Sequence, residues 1–119
     1  MGRPQSSPID EVMTPTIRKP ATRRILARRA LREFWEKHPE SEQPLRAWYH
    51  EARTAEWRSP LDVKRRCANA SIVGKNRVVF NIKGNDYRLV AAIQYQAGVV
   101  AIHFFGTHAE YDKIDAETV

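Results

Sequence analysis

The chain has 119 residues, the length of one compact domain. Its composition, 42% hydrophobic and 29% charged, is that of a globular protein and excludes collagen-like, coiled-coil and wholly disordered chains. No apolar run approaches the roughly 20 residues that a membrane helix needs, and no segment has the apolar stretch of a secretory signal. The single cysteine, Cys67, excludes an internal disulfide and a cysteine-rich metal site. These features predict a soluble, cytoplasmic protein that makes no membrane contact.

The positive charge is concentrated in the first part of the chain. Twenty Lys and Arg against fourteen Asp and Glu give a net charge of +6, with +7 in residues 1–75 and −1 in residues 76–119. One stretch holds seven basic residues and no acid: Arg18, Lys19, Arg23, Arg24, Arg28, Arg29 and Arg32. Such a field favours a polyanion or an acidic protein as partner. The simpler alternative is a solvated basic face without a partner.

The first elements are a tail, a strand and a helix. Residues 1–22 contain four prolines and no apolar periodicity, which predicts a flexible N-terminal tail before a domain of residues 23–119. A short strand is expected at residues 24–27. An amphipathic helix follows over residues 28–37 and ends at His38-Pro39, because the residue before a proline avoids helical geometry.

Two further helices begin at serine caps. Ser41 is expected to cap the second, with Pro44 in its first turn, and Ser59-Pro60 starts a third that ends near Arg66. The buried stripe of the second helix is Leu45, Trp48, Ala52 and Ala55. Trp48 and Trp57 are expected in the core rather than in base stacking.

From Ser71 the apolar residues alternate as they do in strands. A short apolar run at Ile72-Val73 precedes three strands, at residues 77–83, 87–95 and 99–105, and a last helix at 109–116. The fold class is therefore predicted to be α+β, with a short N-terminal strand, two or three helices, a three- to four-stranded, mainly antiparallel sheet and a short C-terminal helix. The helices are expected on one face of that sheet.

The hairpin turns decide which side chains lie together. A two-residue turn at Gly84-Asn85 pairs Asn81 with Arg88. The solvent-facing side then carries Arg77, Asn81, Lys83 and Arg88. A second turn at Gln96-Ala97 would pair Val90 with His103 and bring His103 to the Arg88 face. His108 and Tyr111, three residues apart, share one face of a helix that begins there.

These residue types suit RNA cleavage without a metal. The RNA 2′-OH attacks the adjacent phosphorus when a base takes its proton, an acid protonates the leaving 5′-oxygen and cations stabilise the phosphorane. Histidine suits either proton role, whereas arginine only binds phosphate. No cluster of carboxylates, paired histidine spacing or phosphate-binding GxxxxGK[ST] loop is present, so neither a metal nor another cofactor is expected.

Each assignment has a structural alternative. Arg88 can pair with Asp86 or a helix acid, His108 can cap a helix, and Tyr111 can anchor that helix on the sheet. His103 can be an ordinary strand histidine. For the whole protein, the alternatives are a non-catalytic RNA- or ribosome-binding module and a structural protein whose basic helix docks an acidic partner.

Three segments carry a family resemblance. Asn76 to Ala91 (NRVVFNIKGNDYRLVA), the closing GTHAEYD of Gly106 to Asp112, and the helical stretch from Ala30 to Trp48 closely resemble the HigB family of bacterial type II toxins, in the RelE-like superfamily. The resemblance implies an mRNA endonuclease that acts on the ribosome. It also implies inhibition by a HigA-like antitoxin with a helix-turn-helix domain.

The resemblance further implies site residues. Arg88 corresponds to the arginine that binds the scissile phosphate, and His108 and Tyr111 to the catalytic groups of the C-terminal segment. We expect Asn81, Lys83, Arg77 and His103 to bind RNA around them.

Overall fold

The computed structural model describes residues 24–74 and 76–119. The predicted tail at residues 1–22 lies outside these ranges, as do Arg18, Lys19 and Arg23 of the basic stretch. Within the described part, the elements in chain order are β1 (Arg24–Leu26), α1 (Arg28–Lys37), a 3-10 turn (Pro39–Ser41), α2 (Glu42–Thr54), α3 (Pro60–Arg66), β2 (Ser71–Val73), β3 (Arg77–Ile82), β4 (Tyr87–Gln94), β5 (Val99–Thr107) and α4 (His108–Tyr111). None of these helices is long and apolar enough to cross a membrane.

The described strands form one sheet in the order β1-β5-β4-β3-β2. β1 runs parallel to β5, whereas the other neighbours are antiparallel. β1, from the start of the described chain, thus forms the edge strand next to β5, which comes near the end of the chain. The α+β prediction is confirmed.

The helices begin and end for local reasons. Pro39 follows His38 and ends α1, whose last residue is Lys37 as predicted. The Ser59 hydroxyl accepts a hydrogen bond from the Asp62 N–H and caps α3. The predicted side-chain cap at Ser41 is wrong, because Ser41 ends the 3-10 turn and its Oγ donates to the His38 carbonyl at 2.8 Å.

The main core lies between the helices and one face of the sheet. Leu31 of α1 and Leu45 of α2 pack there with sheet residues such as Leu89, and all three are almost fully buried. Trp48 meets Phe80 edge to face at 5.4 Å, and Trp57 stacks on the same ring at 5.6 Å. Both tryptophans are therefore core residues, as predicted.

The β3–β4 hairpin has the predicted register. Asn81 lies opposite Arg88 and Ile82 opposite Tyr87. Gly84 has a φ of +64°, which suits glycine, and Lys83 before it has a φ of +54°, which a residue with a side chain seldom adopts. The turn is closed by the Asp86 N–H bonded to the Lys83 carbonyl at 3.1 Å.

The β4–β5 register departs from the prediction. Ala91 pairs with Ile102, but Val90 pairs with Phe104, so His103 is the extra residue of a β-bulge. The expected pairing of Val90 with His103 is wrong. The alternation of apolar and polar residues in the sequence does not reveal the bulge. Phe104 and Phe105 are adjacent, so an apolar ring points to each face of the sheet in either register.

The second face of the sheet is also covered. Val79 and Val90 form a small cluster there with Phe104, and the chain after α4 packs over them through Tyr111, Ile114, Ala116 and Val119. The prediction that only one face of the sheet is covered is therefore wrong, because the C-terminal segment covers the other face. α4 spans only four residues rather than 109–116, and the chain after Tyr111 continues in turns.

Candidate active site

Arg88 lies on the second face of the sheet, in the middle of a three-strand row. It pairs with Asn81 on β3 and with Gly106 on β5. A Cβ on Gly106 would lie 2.5 Å from Oε1 of Glu110 and 2.9 Å from Cζ of Phe104. The missing side chain thus lets the C-terminal segment close against the sheet directly beside Arg88.

The guanidinium of Arg88 carries a charge that no described carboxylate pairs with. It donates to the Asn85 carbonyl at 3.2 Å, the Tyr87 carbonyl at 3.3 Å and the Asn85 side chain at 3.4 Å. Asp86, the expected partner, instead pairs with Lys83 at 3.0 Å. Arg88 is thus held by neutral oxygens and half-buried, which leaves its charge available to an anion.

His108 is fixed at the first position of α4. The Thr107 hydroxyl accepts from the Glu110 N–H at 3.1 Å, and the Glu110 carboxylate accepts from the Thr107 N–H at 2.8 Å, forming a capping box. The His108 N–H donates to the Asp86 carbonyl at 3.1 Å. The start of α4 is therefore attached to the same turn that holds Arg88.

Tyr111 completes the predicted group from the same segment. Its ring lies 6.4 Å from that of Phe104, which is paired with Val90 two residues along β4 from Arg88. Tyr111 is half-buried over the second face, so part of its role is to anchor α4 there. Backbone connections thus bring Arg88, His108 and Tyr111 to one region of the sheet.

The four predicted RNA-binding residues are less uniformly placed. Asn81 lies beside Arg88, and Lys83 lies in the adjoining turn but is engaged by Asp86. Arg77 is at the far end of β3, where it donates to the Val119 carbonyl at 3.0 Å and to Asn76 Oδ1 at 3.1 Å. His103 is exposed in the bulge and unpaired in the β4–β5 ladder. The structure thus groups Asn81 and Lys83 with Arg88 and separates Arg77 from them.

One contact near His108 was not anticipated from the sequence. Oδ1 of Asp112 lies 3.7 Å from Nε2 of His108, and both side chains are more than half exposed. The four-residue spacing on a helical turn is the signal that could have identified this pair. The Asp112 carboxylate therefore lies beside the His108 imidazole on the exposed side of α4.

The opposite face of the same sheet end is tied to the helices by Tyr87. Its hydroxyl donates to the carboxylate of Glu40, which follows Pro39 in the turn after α1. This bond lowers the pKa of Glu40 and raises the pKa of Tyr87 to about 12. Phe105 stacks on the Tyr87 ring at 5.5 Å, so neighbouring side chains of β4 and β5 pack together on the helix-covered face beneath the candidate site.

In residues 24–74 and 76–119 no three His, Cys, Asp or Glu side chains converge on a point where they could hold a metal ion. Burial raises the pKa of the Cys67 thiol, which lies beside the main core. A group that stays protonated and half-buried is a poor nucleophile. Cys67 packs against the main core, on the face of the sheet opposite Arg88.

Comparison with known proteins addresses the family directly. A search of curated proteins gives no significant match. A family model described as HigB_toxin, the RelE-like toxic component of a toxin–antitoxin system, matches residues 41–114, which is more than half of the chain. The match spans α2 to the end of α4 and includes every predicted site residue. This confirms the resemblance, and the chain belongs to the HigB toxin family as the RelE-like toxic component of a toxin–antitoxin system.

Proposed function

We propose that this toxin is an endoribonuclease that cleaves mRNA on the ribosome without a metal. The RNA 2′-oxygen bonds to the adjacent phosphorus and the bond from phosphorus to the 5′-oxygen breaks. The products are a 2′,3′-cyclic phosphate and a 5′-hydroxyl. One proton leaves the 2′-OH and one is delivered to the 5′-oxygen, so the reaction needs no other reactant.

The observation that carries this proposal is the charge of Arg88, which no carboxylate of the described residues neutralises. A half-buried guanidinium held only by neutral oxygens is suited to a phosphate, on which negative charge increases in the transition state. Its fork of N–H groups can bind two phosphate oxygens at once. In this proposal Arg88 binds the scissile phosphate and stabilises the phosphorane.

The proton transfers belong to the C-terminal segment. His108 acts as general acid or base, because an imidazole exchanges protons near neutral pH. Asp112, close to its Nε2, orients the ring. Tyr111 orients the nucleotide or shares the proton transfer, and Asn81 and Lys83 position the RNA backbone beside Arg88.

The partners in this proposal are mRNA, the ribosome and a HigA-like antitoxin with a helix-turn-helix domain, all in the cytoplasm. The toxin–antitoxin family implies an antitoxin of some kind. The basic surface of the toxin suits both RNA and an acidic protein.

The experiment is induced expression of the toxin alone, and then together with the neighbouring open reading frame. We expect growth arrest, rescue by the neighbour, and mRNA fragments that end in a 2′,3′-cyclic phosphate. The matched control is Arg88→Ala, which should fold and bind its antitoxin but give no fragments. Arrest with RNA binding but no fragments would favour the non-catalytic binding module instead.

A further inference from the structure

Two cationic side chains lie at the β3–β4 turn, and they have different partners. Lys83 forms an ion pair with Asp86, three residues after it, with 3.0 Å between Nζ and Oδ2. Arg88 donates to Asn85, three residues before it, with 3.4 Å between Nη2 and Oδ1 of the amide. The carboxylate of the turn therefore neutralises the lysine, whereas the arginine meets an uncharged oxygen.

Asn85 supplies two of the three oxygens that hold Arg88. Its backbone carbonyl accepts from Nη1 at 3.2 Å and its side-chain oxygen accepts from Nη2 at 3.4 Å, while the third oxygen is the Tyr87 carbonyl at 3.3 Å. Because the two bonds to Asn85 come from different nitrogens of the fork, they fix the orientation of the guanidinium as well as its position. Asn85 is exposed and Arg88 is half-buried, so the guanidinium is held where an RNA phosphate can reach it.

The turn itself does not require an asparagine at this position. Asparagine is common in turns because it tolerates a positive φ and because its side chain bonds to nearby backbone. Among the described residues other than glycine, only Ala27 and Lys83 have a positive φ, so Asn85 does not. The one hydrogen bond that its side chain makes with a described residue comes from Arg88. The amide at position 85 therefore serves the guanidinium rather than the turn.

The charge of the side chain at position 85 decides what Arg88 can bind. Aspartate has the size and shape of asparagine, so it would place a carboxylate oxygen where Oδ1 of Asn85 lies, 3.4 Å from Nη2. A carboxylate binds a guanidinium about twice as strongly as a neutral oxygen does. It would therefore occupy the N–H groups that a phosphate needs, and its charge would repel the phosphate. Asparagine holds the same geometry without either effect.

We infer that Asn85 is a positioning residue of the site, and that it holds the guanidinium of Arg88 in place while leaving its charge available to a phosphate. The turn separates its two polar residues by function: Asp86 neutralises Lys83, and Asn85 orients Arg88 without neutralising it. Exchanging the Asn85 amide for a carboxylate would keep the fold and disable the phosphate site. This inference rests on the proposed function, in which Arg88 binds the scissile phosphate.

The test measures binding of a fluorescein-labelled 2′-O-methyl RNA by anisotropy at several salt concentrations. This probe keeps the phosphates but has no free 2′-OH, so it cannot be cleaved. The proteins compared are the unmodified toxin, Asn85→Asp, Arg88→Ala and the double variant Asn85→Asp/Arg88→Ala. The matched control is Gln94→Glu, which makes the same change from amide to carboxylate at an exposed position at the other end of β4.

We expect Asn85→Asp to bind about ten-fold more weakly at low salt, because it removes one charge-assisted phosphate contact. Its plot of log affinity against log salt should be shallower by about 0.7, as in Arg88→Ala. In the Arg88→Ala background the same substitution should have a much smaller effect, because no guanidinium remains to be neutralised. Gln94→Glu should match the unmodified toxin. The urea midpoint of Asn85→Asp should be equal to that of the unmodified toxin or higher, a result that a merely structural role of Asn85 would not give.

Unchanged affinity and slope in a folded Asn85→Asp toxin would overturn the inference. An equal loss of affinity with and without Arg88 would also overturn it, since the new carboxylate would then act on the RNA directly. Cleavage of ordinary RNA is assayed separately. If the unmodified toxin binds RNA through Arg88 but does not cut it, and Asn85→Asp abolishes that binding, the nuclease proposal fails and the role of Asn85 stands.

Discussion

Replacement of Arg88 is the most direct test of the proposed chemistry. Arg88→Ala removes the one guanidinium of the site that no described carboxylate pairs with. Because its folded-state partners are neutral oxygens at 3.2 to 3.4 Å, the loss of stability should be small, about 1 kcal/mol. The fold should therefore survive.

The loss of activity should be much larger. Removing one donor that stabilises transition-state charge lowers kcat by about 10²- to 10³-fold. Arg88→Lys keeps the charge but loses the fork that binds two oxygens, so we expect a loss of about ten-fold. We therefore expect cleavage activity to fall in the order Arg, Lys, Ala at position 88. Loss of the charge costs more than loss of the two-oxygen binding geometry.

The assay is cleavage of a defined mRNA on translating ribosomes, with the 5′ ends mapped by primer extension. Circular dichroism and a urea midpoint establish that each variant is folded. Arg58→Ala, which removes an exposed arginine paired with Glu56, is the control and should cut normally. A folded Arg88→Ala toxin that cuts at the unmodified rate would refute the role of Arg88 as phosphate ligand.

Three predictions concern the frame around the site. Gly106→Ala places a Cβ 2.5 Å from Oε1 of Glu110, which must leave the capping box, so the urea midpoint should fall by the equivalent of about 1 kcal/mol. This loss should shrink in a Glu110→Ala background, and equal losses in both backgrounds would contradict the contact. Tyr87→Phe removes the bond that lowers the pKa of Glu40, so the stability advantage of the unmodified protein should be full at neutral pH and decline as pH falls below 4.5. An advantage that is the same at neutral and acidic pH would show that the bond does not form. Leu89→Ala empties a fully buried position and should cost about 2–5 kcal/mol in urea unfolding, whereas a loss below 1 kcal/mol would contradict its core placement.

Much of the candidate site could be predicted because it depends on short-range pairing. Gly84 determines where the β3–β4 turn forms, and the turn then places Asn81 opposite Arg88. His108 could be placed near the start of a helix for a similarly local reason, and the Thr107–Glu110 capping box sets that start.

The part that could not be predicted depends on contacts between distant segments. His103 was expected beside Arg88, but the bulge between Val90 and Ala91 removes it from the pairing. The guanidinium of Arg77, a predicted RNA ligand, donates to the carbonyl of Val119, 42 residues away. A partner so far along the chain leaves no periodic signal in the sequence.

For this protein, the sequence by itself determined most of the elements and the β3–β4 hairpin, because each depends on residues close together in the chain. Only the tertiary structure decided how the second face of the sheet is used. The apolar residues after Tyr111 fold back over Val79 and Val90, and two adjacent phenylalanines satisfy both faces once the bulge forms. Burial of apolar surface selects one register from several that the alternation allows, and that selection depends on packing across the whole sheet.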